Sequence, residues 1–148
     1  MTGESNAEAL LSEWTERLGL RDWEIHLAWQ STPSEMPEKD CSGCTTFVES
    51  TKEALIFIRD ERFWESKPFK FDFEKTLVHE LMHLKLCYVT DIDENSCQAR
   101  MMHAILDDIA KALVEAKRAG VKEGKADADE GRGTDQVGER AGGAGWVD

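Results

Sequence analysis

The spacing of apolar residues changes several times along the first 119 residues, from helical to strand-like and back. Between residues 6 and 18 apolar side chains repeat every three or four positions, which predicts an amphipathic helix that ends at Gly19. Residues 23 to 30 instead alternate between apolar and polar, which predicts a half-buried strand. His26 falls on the polar side of that strand, where we expect an exposed histidine.

Two further strands and two helices complete the pattern. Residues 44 to 49 and 54 to 59 are short apolar runs around a polar turn, which predicts a hairpin. Apolar residues at helical spacing then predict one helix over residues 72 to 88 and a second from Glu94 to about Ala119. We therefore predict an α+β domain over residues 1–119, with a small, mostly antiparallel three-stranded sheet.

The composition changes sharply at Gly120. Eight of the eleven glycines lie between Gly120 and Asp148, together with very few apolar residues larger than alanine. Such a segment cannot bury enough apolar surface to offset its loss of conformational entropy. We expect residues 120–148 to form a disordered, acidic, glycine-rich tail.

The bulk composition is ordinary for a soluble globular protein. The chain has 41% hydrophobic and 32% charged residues and a net charge of −12, which disfavours binding to nucleic acid and to strongly acidic peptides. No apolar run has the length of a membrane span, and the polar, acidic start does not resemble a signal peptide. We expect a cytoplasmic monomer, without membrane partners and with reduced cysteines.

The predicted helix over residues 72–88 carries an H-E-x-x-H motif, His79-Glu80-Leu81-Met82-His83. Each helical residue turns by about 100°, so His79 and His83 lie one turn apart on one face and can hold one Zn²⁺ between them. Glu80 lies close to any water molecule that the metal binds, in the position of a general base.

The surroundings of the motif favour a metal over a plain buried helix. Apolar residues cover nearly the whole circumference of this helix, which predicts that it is buried. Burying two histidines and a glutamate without partners would cost roughly several kcal/mol. Metal binding by His79 and His83 removes that cost.

A catalytic zinc ion usually takes a third protein ligand. The downstream candidates are Cys87, Asp91, Asp93, Glu94, Cys97 and His103. If the larger apolar residues of the last helix face inward, Glu94 lies at the edge of that face, whereas Asp93 and His103 face water. We predict Glu94 as the third ligand, with Gln98 as its hydrogen-bond partner and with Asp93 and His103 as the alternatives.

At this point the chain resembles a known family. The run from Thr76 to Leu84, followed by a helix that opens with a glutamate, resembles the gluzincin metallopeptidases, and more narrowly the very small single-domain zincins of bacteria and phages. The resemblance implies a zincin-like fold and a zinc-dependent endopeptidase whose edge strand binds the substrate backbone. It assigns His79, His83 and Glu94 as ligands and Glu80 as the base. Tyr88 lies on the opposite side of the helix from His79, so the residue that stabilises the oxyanion is not identified.

The four cysteines allow a second metal site. Cys41 and Cys44 form a C-x-x-C, and Cys87 and Cys97 flank the turn between the last two helices. Together they could form a structural zinc site, but a structural role as small core residues is the favoured explanation. A thioredoxin-like redox role is disfavoured because a strand, not a helix, follows Cys44.

These observations predict hydrolysis of peptide bonds in a peptide or protein substrate, with one catalytic zinc ion and Glu80 as general base. The alternative is a zinc-bearing protein-binding module with little or no peptidase activity. The lack of an identified oxyanion donor supports this alternative. A third hypothesis is a metal that only holds the two helices together.

Overall fold

The computed structural model describes residues 3–65, 70–88 and 96–130, with side chains up to Val121. The chain divides into two compact units, Met1–Glu115 and Ala116–Asp148. The sheet and the candidate site belong to the first unit.

The described elements confirm the α+β prediction. In chain order they are α1 (Gly3–Arg17), β1 (Glu24–Ser31), β2 (Gly43–Val48), β3 (Glu53–Arg59), a short 3-10 helix (Glu61–Phe63), α2 (Phe73–Leu86) and α3 (Cys97–Glu130). Asp72 begins α2 by accepting a hydrogen bond from the Lys75 backbone N–H at 3.1 Å.

The three strands form a mixed sheet in the order β1-β3-β2. β2 and β3 pair antiparallel, as the predicted hairpin requires. β1 pairs with β3 in parallel, so the prediction of a mostly antiparallel sheet is wrong in this pair. Alternation of apolar residues fixes which face of a strand is buried but not its neighbour or direction. This order leaves β2 at one edge of the sheet.

The core lies between α2 and one face of the sheet. The central strand contributes Ile56 and Ile58, and α2 contributes Leu77 and Leu81, all of them fully buried. The Trp14 indole on α1 donates a hydrogen bond to Glu74 Oε1 at 2.9 Å, which satisfies both buried polar groups. This packing fixes α2, and with it the motif, against the sheet.

The buried face of α3 differs from the predicted one. Its buried residues repeat at helical spacing and are Ala99, Leu106, Ala110 and Val114. Met101, Ile105 and Ile109, which were expected to face inward, are exposed, with 60% of Met101 accessible to solvent. The buried face is therefore rotated by roughly 100° from the predicted one, at about 100° per residue.

α3 also continues further than predicted. The predicted end is near Ala119, whereas the helix runs through Gly120 to Glu130, into the first part of the predicted tail. Residues 131–148 of that predicted tail lie outside the described residues. No helix in the described ranges combines the length and apolarity that crossing a membrane requires.

Candidate metal centre and its cleft

His79 and His83 lie one turn apart on α2, as the motif predicts. Their Nε2 atoms are 3.2 Å apart, and their rings meet at an angle of 58°. Both side chains are partly buried and line the same cleft. The helix thus presents two imidazole nitrogens to one point in space.

His103 joins this pair, so the expectation that it faces away into water is wrong. Its Nδ1 lies 3.3 Å from His79 Nε2, and the two rings stack at 14° with their centroids 5.4 Å apart. At about 100° per residue, His103 lies on the same side of α3 as the buried Ala110 and Val114. His103 itself is exposed.

Two of the three separations between these ring nitrogens match a tetrahedral zinc ion. One ring nitrogen from each of His79, His83 and His103 lies within 4.8 Å of the other two. Zinc–nitrogen bonds of about 2.0–2.1 Å at tetrahedral angles place two ligand nitrogens about 3.3 Å apart. The measured separations of 3.2 and 3.3 Å agree with that value.

Asp107 orients His79 for such a role. Its Oδ1 lies 3.1 Å from His79 Nδ1, and a carboxylate can only accept, so Nδ1 carries the proton. The His79 Nε2 lone pair is then directed toward His83 and His103. Carboxylates commonly hold metal-binding histidines in this way.

Burial keeps the motif histidines neutral. It lowers the pKa of His83 to about 4, with the neighbouring His79 and His103 acting in the same direction. Burial also lowers the pKa of His79, although Asp107 opposes the effect. Neutral imidazoles retain the lone pairs that a metal ion needs.

Glu80 is buried between α2 and the edge strand. Thr45 Oγ1 on β2 donates a hydrogen bond to Glu80 Oε2 at 2.7 Å, and only 5% of Glu80 is exposed. Burial raises the pKa of Glu80 to about 7, with the charges of Glu38 and Asp107 adding to the effect and the Thr45 hydrogen bond opposing it. A carboxyl group with such a pKa can both accept and release a proton near neutrality.

Gly43 allows this close approach of helix and strand. A methyl group placed on its Cα would lie 2.6 Å from Glu80 Oε1 and 2.8 Å from Thr76 Cγ2. Any larger residue at this position would displace one of them. Gly43 is therefore required by space, at the point where β2 passes Glu80.

The histidines and Glu80 open into one cleft with a volume of about 810 Å³. The edge strand β2 forms one wall, with Thr45 and Phe47 among its lining residues. Trp64 and Phe71, whose ring centroids are 6.0 Å apart, also line the cleft. The cleft is large enough for several residues of an extended peptide.

Other predicted site residues lie outside the described part of the chain or away from the cleft. Glu94, Asp91 and Asp93 lie outside the described residues. Tyr88 is 61% exposed and does not line the cleft. The predicted assignment of Glu94 therefore remains a prediction.

The cysteines do not form a second metal cluster within the described residues. None of the four forms a disulfide, and no three of them lie at metal-ligand spacing. Cys41 and Cys44 line the cleft, while Cys87 and Cys97 do not. Burial raises the pKa of Cys41, which disfavours the thiolate that a metal would bind. The role of the cysteines therefore remains a prediction.

One signal in the sequence could have identified His103. Asp107 follows it by four residues and therefore lies on the same face of α3. If this face of α3 lies against the motif helix, His103 can supply a metal ligand. Asp107 can then orient one of the motif histidines.

No relative supplies a function for this cleft. Comparisons with protein families, with curated proteins and with solved structures each give no match to the chain. The resemblance to small zincins therefore remains a prediction, and function has to be inferred from the chemistry of the site.

Proposed function

We propose that this chain is a zinc-dependent peptidase, with His79, His83 and His103 as zinc ligands and Glu80 as general base. The observation that carries the proposal is the convergence of three imidazole nitrogens, all within 4.8 Å of one another, on the wall of a cleft that also holds Glu80. The order of helices and strands supports the zincin-like interpretation.

Glu80 performs the proton transfers in this proposal. Zinc, when bound, supplies Lewis acidity and makes a water molecule more acidic. Glu80 accepts a proton from the attacking water and releases it to the departing amine, for which a pKa of about 7 is well suited. The Thr45 hydroxyl holds one carboxylate oxygen, so the other is available for the proton.

Lys75 is the candidate for the oxyanion donor that the sequence did not identify. It lines the cleft one turn before His79, and its Nζ lies 3.6 Å from Asp107 Oδ1. An ammonium group held at this point can pair with negative charge that develops on a substrate carbonyl oxygen.

The edge strand β2 supports a peptide as the substrate. Among the described residues no strand pairs with its outer edge, and its residues line the cleft beside Glu80. An extended peptide can add to such an edge through backbone hydrogen bonds. The amide to be cleaved would then lie along the wall that carries Thr45.

Variants at the third ligand position test the metal site. We expect His103→Ala to weaken zinc binding strongly, while Asp93→Ala leaves it unchanged; competition titration with a zinc-sensitive dye measures both. Glu94→Ala tests the ligand predicted from the sequence. If Glu94→Ala loses the metal and His103→Ala keeps it, the ligand set proposed above is wrong and the sequence prediction is right.

Glu80→Gln tests the chemistry. Glutamine keeps the shape and can still accept a hydrogen bond from Thr45, but it cannot accept a proton. We expect the zinc-loaded variant to bind metal normally and to lose hydrolysis of casein or of a peptide library. Equal rates for the variant and the wild type would refute Glu80 as the base.

The distribution of the three histidines over two helices supports a second function, that of a zinc-bearing binding module. The three histidines come from two helices, so a metal bound here would also tie α2 to α3. If Glu94 binds as well as His103, four protein ligands would close the site, as in structural zinc sites. A zinc-bearing binding module would then be the better interpretation. Binding of a hydroxamate to the zinc-loaded protein distinguishes the two, because only an open site can accept it.

A further inference from the structure

Two exposed carboxylates, those of Glu38 and Asp40, stand on the loop that leads into β2. Both line the cleft, and neither side chain forms an ion pair or a hydrogen bond with another described residue. Lys39 lies between them in the sequence but does not line the cleft. The two negative charges therefore face the cleft without a partner in the described part of the chain.

The loop is anchored where it carries these charges. The buried Arg59 guanidinium donates a hydrogen bond from Nη2 to the carbonyl oxygen of Lys39. The Arg59 backbone N–H donates to the Ser42 carbonyl oxygen at 2.9 Å. The backbone between Glu38 and Gly43 is thus tied to β3 at two points.

Most other charges along the cleft already have a partner. Lys75 lies beside Asp107, and Asp107 in turn accepts from His79. Asp72 caps α2. Of the described cationic lining residues only Lys70 has no such ion pair, so the loop side of the cleft carries an excess of negative charge.

These carboxylates line the same cleft as His79 and Glu80. Gly43 follows the loop directly, and a methyl group placed on its Cα would lie 2.6 Å from Glu80 Oε1. A ligand side chain that meets Glu38 therefore belongs to a residue near the bond being cleaved.

A metal ion is a poor occupant for the pair. Among the described residues, only the three histidines lie at metal-ligand spacing. A lysine or arginine side chain suits the cleft better, because the cleft offers the rings of Trp64 and Phe71 to its methylene groups and carboxylates to its charged end.

We propose that this cleft selects peptides that carry lysine or arginine close to the scissile bond, through Glu38 and Asp40. This inference rests on the proposed function in one respect: it treats the bound peptide as a substrate that is cleaved. Each partly exposed ion pair contributes modestly, and an acidic side chain would be repelled. Together these effects correspond to a preference of about tenfold for lysine over glutamate in kcat/KM.

The test uses the zinc-loaded full chain and fluorogenic peptides that differ at one position. Lysine, glutamine or glutamate is placed in turn at each position around the cleaved bond, and kcat/KM is measured for each peptide. We expect the order lysine, glutamine, glutamate at one or two positions. The ratio of lysine to glutamate should fall to about two in Glu38→Gln/Asp40→Asn, since most of the charge interaction is lost. It should remain near tenfold in the control Glu8→Gln/Asp108→Asn, which removes the same charge elsewhere.

The outcomes separate this inference from the proposed function. Hydrolysis of every peptide without a charge preference, or with a preference that survives in Glu38→Gln/Asp40→Asn, overturns the inference and leaves the peptidase proposal intact. If the wild type hydrolyses none of the peptides, the peptidase proposal fails. Fluorescence anisotropy of the same labelled peptides then decides the charge inference. The same order of affinities, lost in Glu38→Gln/Asp40→Asn, supports it, and equal affinities overturn it.

Discussion

Replacing Gly43 by alanine tests whether β2 holds Glu80 in place. The added methyl group would lie 2.6 Å from Glu80 Oε1, whereas ordinary contact begins at 3.4 Å. Glu80 or β2 would have to move by about 0.8 Å, in a region where close packing leaves little free space. Thr76 Cγ2, at 2.8 Å, prevents an easy shift to the other side.

We expect two effects of Gly43→Ala. Overpacking of this kind costs about 1–3 kcal/mol of the free energy of unfolding. A displacement of about 1 Å at a catalytic group lowers the rate by about 100-fold, so the variant should keep zinc and lose most of its kcat. Urea unfolding, zinc content and peptide hydrolysis, measured on the same preparation, separate the two effects.

Gly120→Ala is the matched control. Gly120 lies in α3, and no heavy atom stands within 4 Å of a methyl group placed there. Alanine is favoured over glycine in a helix by about 1 kcal/mol, so this variant should be as stable as the wild type or more stable, with unchanged activity. If Gly43→Ala matches the wild type in stability and kcat, the close contact between β2 and Glu80 does not constrain the site as described.

Three further predictions concern the charge of Glu80, the orientation of His79 and the end of the chain. Burial raises the Glu80 pKa from 4.5 to about 7, so its ionised form destabilises the folded, metal-free protein increasingly as pH rises from 4.5 to 7. With a chelator present, Glu80→Gln should therefore be more stable than the wild type by about 3 kcal/mol above pH 7 and equal to it in acid. Urea unfolding at several pH values measures this difference, and a difference that does not change with pH would contradict the burial of the charge. Asp107→Asn should weaken zinc affinity by about 10- to 100-fold, because an amide fixes the His79 tautomer less firmly. Competition titration with a zinc-sensitive dye measures the affinity, with Asp108→Asn as control. Unchanged affinity would mean that Asp107 does not orient the ligand. Removing residues 120–148 should leave zinc content and the melting temperature unchanged, because this segment lacks the apolar residues that a core needs; a large drop in melting temperature would show that it stabilises the fold.

Local patterns predicted most of the elements but not their arrangement. Strands and helices appear within a few residues of their predicted positions because alternation and helical spacing are properties of the sequence itself. The parallel pairing of β1 with β3 is not such a property, since neither strand encodes which edge it will join. The extension of α3 through Gly120 has a similar cause, because one glycine costs a helix only about 1 kcal/mol and need not end it.

Only the part of the candidate site that lies on α2 could be predicted from the sequence. His79, Glu80 and His83 follow from the motif, whereas His103 depends on the rotation of α3. That helix has two apolar stripes, and hydrophobicity predicts burial of the one with larger residues, although its Met101 and Ile105 are exposed. The core instead takes the stripe that contains Ala99 and Ala110, whose small side chains let the helix approach closely. Hydrophobicity alone ranks these stripes in the wrong order.

The position of β3 in the middle of the sheet has a consequence for folding kinetics. β2 and β3 are neighbours in the chain, and a hairpin of this kind forms within about 1–10 μs. β1 is synthesised first, but it can only add to the far side of β3, across a much longer loop. We expect the hairpin to form in the folding transition state and β1 to dock after it. Changes in the turn between β2 and β3 should then slow folding, while changes in β1 should mainly speed unfolding.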